Sequence, residues 1–128
     1  WELLRWDSPV QLNVRAALRD VEILGESVGY GQIYTVLQGS GNRDEAAYPV
    51  ADGLDVGRFV DRSTPPPLSF GWGPHHCLGA ALARAEGEIV FGGLLDRFAS
   101  LELLEAPSFR SSFTLRGLTS LNVACRSR

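Results

Sequence analysis

One cysteine stands at the end of a glycine-punctuated run, Phe70-Gly71-Trp72-Gly73-Pro74-His75-His76-Cys77-Leu78-Gly79. The chemistry this suits is that of a thiolate held for a metal. An amphipathic helical pattern begins directly after the cysteine, and a helix N-terminus favours ionised sulfur through its partial positive charge and free N–H groups. Gly71, Gly73 and Gly79 let the backbone bend tightly and approach that sulfur. Hydrogen bonds around a ligating atom tune its charge and the potential of its metal.

Other readings of the same residues stay open at this level. Free cysteines are commonly buried and inert. His75, His76 and Cys77 are all zinc-ligand types, but three consecutive residues converge poorly on one tetrahedral ion. The chain has no Cys-x-x-Cys pair and no Cys-x-x-Cys-His haem-attachment signature. Cys125 is the only other cysteine. A Cys77–Cys125 disulfide is conceivable, though nothing in the sequence suggests an oxidising compartment.

Several elements are expected to position this loop. Leu78 to Phe98 reads as the main helix, with Leu78, Leu82, Ala85, Ile89 and Leu94 or Leu95 on one face. Gly87, Gly92 and Gly93 weaken it and suggest close packing against another element. Trp1 to Trp6 fits a helix end, broken by Asp7-Ser8-Pro9. Val21 to Ile23 and Gln32 to Leu37 read as strands joined through a turn from Gly25 to Gly31. Asp44 to Tyr48 reads as a short helical segment. Pro49 to Leu68 lacks periodicity, and an irregular stretch of that length is expected to be functional or anchored. Leu101 to Leu104, Phe113 to Leu115 and Ser120 to Val123 read as short strands.

Composition narrows the classes. The chain has 128 residues, one domain's worth, with a net charge of −3 that offers no basic patch for nucleic acid. All twelve basic residues are Arg. No apolar run reaches membrane-spanning length, and no secretory leader is read, so the expected setting is cytoplasmic with no membrane partner. The absence of Met and the start at Trp1 suggest a piece entered mid-helix.

The decapeptide resembles the haem-binding loop of cytochromes P450, Phe-Gly-x-Gly-x-His-x-Cys-x-Gly, with every fixed position filled. Further pieces fall in family order across the chain. Glu2 and Arg5 match a Glu-x-x-Arg pair, whose spacing puts both charges on one helix face. Asn42-Arg43-Asp44 with Tyr48-Pro49 resembles the approach to the family's meander, and Leu115-Arg116-Gly117-Leu118 its closing hairpin. The likeness is closest to soluble bacterial members.

The resemblance implies the C-terminal portion of the cytochrome P450 fold: mixed α/β here, mainly α in the parent, spanning residues 1–128. It implies haem b (iron protoporphyrin IX) ligated by Cys77. His75 and Arg15 would hold propionates by charge-assisted hydrogen bonds, and Phe70 would pack by the sulfur, with Trp72 either at the haem or an ordinary aromatic. It implies a monooxygenase parent that takes electrons from a ferredoxin or similar donor, splits O2 and oxidises a small organic substrate. Pro9 to Val14 is the expected substrate-facing stretch. The contrasting expectation is an inactive haem-binding or unfolded remnant. One departure stands out. Asp52-Gly53-Leu54-Asp55 has Gly53 where an arginine is expected to complete a triad with Glu2 and Arg5. A looser meander follows from that gap, together with better haem retention in Gly53→Arg, unless Arg58 substitutes.

Overall fold

The computed structural model describes residues 1–61 and 63–128. The chain divides into two units: Trp1–Ser69 with Ser112–Arg116, and Phe70–Ser111 with Gly117–Arg128.

The first unit opens with α1 (Glu2–Trp6), acidic in its first turn and basic in its last, as the helix dipole favours. Five residues are too few to hold a helix alone. What holds this one is its buried side, made of Glu2 and Arg5. Strand β1 (Asn13–Ala16) pairs antiparallel with β4 (Ile33–Val36), in the register Asn13↔Val36 to Ala16↔Ile33. Between them, β2 (Val21–Ile23) pairs with β3 (Glu26–Val28). The expected pairing of Val21–Ile23 with the strand after Gly31 is therefore corrected. Leu24 (φ 54°) and Gly25 (φ 85°) both lie in the left-handed region. That is the requirement of a two-residue hairpin turn, so the chain reverses at once. Helix α2 (Gln38–Gly41) follows, and Asp44–Tyr48, expected to be helical, forms turns instead.

The buried interior of this unit is more polar than apolar. Ala17, Tyr48, Ala51 and Pro67 are buried apolar residues; Glu2, Arg5, Ser8, Gln38, Asn42 and Ser69 are buried polar ones. Such groups are tolerated only when hydrogen-bonded. Among the described residues no buried side-chain nitrogen or oxygen lacks a partner.

The second unit contains the glycine loop and α3 (Ala80–Arg97), which runs directly into β5 (Phe98–Leu103). β5 pairs antiparallel with β8 (Val123–Ser127), and β6 (Ser108–Phe109) with β7 (Leu118–Ser120). Phe113–Leu115 is no strand; it contributes one bridge, Leu115 to Val10, inside the first unit. α3 matches the expected helix but buries none of its residues. A Cβ added at Gly87, Gly92 or Gly93 would meet nothing within 4 Å, so the close packing expected at these glycines is absent among the described residues. No helix among the described residues is long and apolar enough to cross a membrane.

Candidate functional site

The loop before α3 is shaped by its own backbone. Leu68–Phe70 and Gly73–His75 form 3-10 turns, and Gly71 (φ 72°) and Gly73 (φ 77°) carry the left-handed corners. The Cys77 N–H donates to the Phe70 carbonyl at 2.9 Å, closing the loop, and the His76 N–H donates to Gly73 at 3.0 Å. The Ala80 N–H then donates to the Cys77 carbonyl at 3.2 Å, carrying the chain into α3. Nothing lies within 4 Å of a Cβ added at Gly73, so Gly73→Ala is opposed by backbone strain alone. It should cost about 1–2 kcal/mol in urea unfolding; an unchanged midpoint would mean the corner relaxes.

Cys77 is exposed and its thiol is free, as is that of Cys125. Gly79 keeps space beside the sulfur: a Cβ there would lie 3.8 Å from Sγ, in ordinary contact. His75 and His76 are exposed. The Phe70 ring meets the His76 ring edge-on, with centroids 6.4 Å apart. Trp72 (68% exposed) and Leu78 (103%) add an apolar margin to the loop. Arg15 belongs to the first unit, half-buried on β1 opposite Tyr34, with Nη1 donating to the Val14 carbonyl at 3.0 Å.

Among the described residues no group of three or more His, Cys, Asp or Glu side chains is placed to hold a metal. One accessible thiol at the head of a helix is a donor set that suits a metal bringing its remaining ligands in a macrocycle. In that respect the residues present fit a haem.

Glu2 and Arg5 form a buried clamp. Arg5 Nε and Nη2 donate to the two Glu2 carboxylate oxygens at 2.8 and 2.7 Å. Nη1 donates to the carbonyls of Asn42 (2.8 Å) and Ala51 (2.7 Å), and Nη2 to that of Gly53 (2.9 Å). Glu2 also accepts the Asp55 N–H at 2.9 Å and Arg58 Nε at 3.2 Å. Burial alone would raise the Glu2 carboxyl, but the Arg5, Asp55 and Arg58 donors overcome it and hold its pKa at about 2. The Glu2 hydrogen bond raises the Arg5 guanidinium, outweighing burial. The Arg5 guanidinium also stacks 5.3 Å from the centre of the Tyr48 ring.

The gap expected at Gly53 is thus corrected. Arg58, its side chain 8% exposed, supplies the third charge. It also donates to the carbonyls of Pro49 (2.7 Å) and Val50 (3.3 Å). The segment is tied down, not loose, and Gly53 contributes its carbonyl. A Cβ at Gly53 would crowd Val50 at 3.3 Å, so Gly53→Arg is no longer expected to help.

Sequence reasoning also missed the pairing of Pro9–Gln11 with Thr114–Arg116, through Gln11 N–H to Thr114 (2.9 Å) and Arg116 N–H to Pro9 (2.7 Å). A 430 Å³ polar cavity beside it is lined by Trp6, Asp7, Gln11, Arg43, Asp52 and Arg116 among others. Its arginines are engaged, Arg43 with Asp52 at 2.9 Å and Arg116 with Asp7, and it contains none of the loop residues.

The family model for Cytochrome P450 matches residues 1–120. The chain is 42% identical over 122 residues to a protein of Mycobacterium tuberculosis described as putative cytochrome P450 140, covering 95% of this chain and 27% of that protein. It is 42% identical over 127 residues to the polyketide biosynthesis cytochrome P450 PksS of Bacillus subtilis, covering 96% of this chain and 30% of the relative. The crystal structure of P450BioI in complex with acyl carrier protein ligated to hexadec-9Z-enoic acid superposes with a TM-score of 0.89 at 38% identity, over 98% of this chain and 32% of that one. The chain therefore spans under a third of the length of the relatives it matches.

Proposed function

The chain belongs to the cytochrome P450 family, and on that premise we propose that it forms the proximal, haem-holding part of a haem-thiolate monooxygenase. The observation that carries this reading is the free, exposed Cys77 thiol, set in a loop closed by its own N–H and followed by an 18-residue helix. When bound, the haem supplies thiolate-ligated iron, whose electron-rich sulfur favours cleavage of the dioxygen O–O bond. The chain's residues do the rest. Cys77 would ligate the iron as a thiolate. The bends at Gly71 and Gly73, with Gly79 open beside Sγ, hold the sulfur's approach. By the family resemblance, His75 and Arg15 would each bind a propionate, and Phe70 would keep water from the sulfur. Pro9 to Val14 faces a small organic substrate. Electrons come from a ferredoxin or similar donor.

These 128 residues alone, whose longest helix buries nothing, are expected to show little or no turnover, because oxygen chemistry needs a closed pocket and a positioned substrate.

The test is the carbon monoxide difference spectrum of the reduced, haem-loaded protein. It is run on this chain and on Bacillus subtilis PksS carrying this chain in place of its matching segment, each beside Cys77→Ser. The expected result is a red-shifted thiolate band in the chimera that the serine variant abolishes. A folded, haem-loaded chimera without that band would sink the assignment of Cys77.

A further inference from the structure

We propose that Asn42 is the positioning residue that fixes the start of the Cys77 loop, by tying Leu68 and Ser69 to the last turn of α1. Asn42 is completely buried. Its Oδ1 accepts the Leu68 N–H at 2.7 Å, and its Nδ2 donates to Ser8 Oγ (2.5 Å) and Ser69 Oγ (3.0 Å). Both hydroxyls donate onward to one acceptor, the Leu4 carbonyl, at 2.9 and 2.6 Å.

The protons account for themselves. Two amide protons go to two serine oxygens, and two hydroxyl protons go to the two lone pairs of one carbonyl. The two serine oxygens also lie 3.0 Å apart, within reach of a bond in which either hydroxyl donates to the other. In either arrangement the amide accepts from Leu68 and donates to both serines, which fixes its own orientation. An amide is the only side chain of this size that can both accept from Leu68 and donate twice to the serines. Leu68 and Ser69 open the 3-10 turn that ends at Phe70, and the Phe70 carbonyl receives the Cys77 N–H. Tying the first two residues of that turn therefore sets where the loop-closing acceptor points. The purpose of this positioning rests on the reading of Cys77 as the iron ligand; the network itself does not.

Asn42→Asp keeps the shape and the Leu68 acceptor but replaces both donors with an acceptor. The carboxylate would face the two serine oxygens that accepted the amide protons, and both hydroxyls already have an acceptor in the Leu4 carbonyl. Its direct side-chain neighbours, Ser8, Ser69 and Leu68, are uncharged. The charged group nearest the residue is Arg5 of α1, which binds the Asn42 carbonyl and is itself paired with Glu2. Arg43, next in sequence, turns to Asp52 and to the Trp6 carbonyl. Burial among acceptors favours the neutral acid, which has one donor to return to the network. The variant's defect is thus full at high pH and relieved as pH falls.

Hydrogen exchange of the metal-free chain reads this directly. In Asn42→Asp at about pH 8, exchange over residues 70–80 should quicken about tenfold relative to the unstructured rate, and largely recover at about pH 5. Ser69→Ala, which removes one acceptor and leaves no charge, should quicken the same amides without pH dependence. Amides of the β5–β8 ladder should not change in either variant. Unchanged loop exchange in both variants would overturn the proposal, as would equal acceleration of loop and ladder. Should Asn42→Asp fail to fold at the higher pH, Ser69→Ala and the lower-pH measurement decide. Loss of the thiolate reading in the spectral test would leave the exchange result standing, so the two failures are distinguishable.

Discussion

Arg5→Met should destabilise the protein by about 3–5 kcal/mol, measured as the loss of unfolding free energy in urea followed by circular dichroism. The size follows from saturation. A guanidinium has five N–H donors, and Arg5 makes five hydrogen bonds, two to Glu2 and one each to the carbonyls of Asn42, Ala51 and Gly53. Methionine fills much of the volume and satisfies none of these acceptors. Glu2, 4% exposed, keeps its charge with only Arg58 and the Asp55 N–H to face it. The buried carbonyls of Asn42 and Ala51 lose their Arg5 donor as well, while that of Gly53 keeps Arg58 Nη2 at 3.4 Å. Arg5→Lys should recover only part of the loss, because an ammonium lacks the planar fork that meets both carboxylate oxygens. Arg43→Met is the control. Arg43 also pairs with a carboxylate, but Asp52 is 91% exposed, and such pairs contribute about 0–1 kcal/mol. Equal losses for the two arginines would show that the buried clamp is not what holds the first unit.

That clamp illustrates what the sequence could and could not disclose. The pairing of Glu2 with Arg5 was legible because three-residue spacing on a helix is a local rule. The glycine loop was legible because its residue types and spacings are dense within ten positions. α3 lies where the sequence placed a helix, although its apolar residues are not gathered on one face and none of its residues is buried. The role of Arg58 was not legible. It depends on how the segment from Pro49 to Asp55 folds back, and that path includes Val50 at φ 54°, a conformation a β-branched residue rarely adopts. No local pattern announces it. The Ser8–Asn42–Ser69 network was equally hidden, because its members are 34 and 27 residues apart and of types common in any loop. The strand pairing failed for a simpler reason. Two glycine-bearing turns lay close together, and the tighter one, at Leu24–Gly25, closed its own hairpin before the second could compete. Local chemistry was readable wherever one element contained it; whatever several loops assemble had to be seen.

Acid should remove a defined share of the stability through Glu2. Its ordinary pKa of 4.5 falls to about 2 in the folded chain. Desolvation acts in the opposite direction, so the lowering is the net result of Arg5, the Asp55 N–H and Arg58 outweighing it. A carboxyl whose folded pKa is depressed contributes stability that is fully present above its unfolded pKa. The contribution is lost as pH falls through the window from 4.5 to about 2. The gap corresponds to about 3 kcal/mol at neutral pH. Protonation would leave Arg5 charged and buried against a neutral acid, the same imbalance that Arg5→Met creates from the other side. Unfolding free energies in urea should therefore hold nearly level from about pH 7 to about pH 5 and then fall steeply. Glu2→Gln separates this contribution from that of other carboxylates. The variant should start lower at neutral pH and lose less below pH 4.5, so the two curves converge toward about pH 2. Asp61, also lowered, by the Ser63 N–H and hydroxyl, is fully exposed and present in both proteins, so it cancels in the comparison. Parallel curves down to the lowest pH would mean that Glu2 does not titrate in this window, and that acid acts on the chain elsewhere.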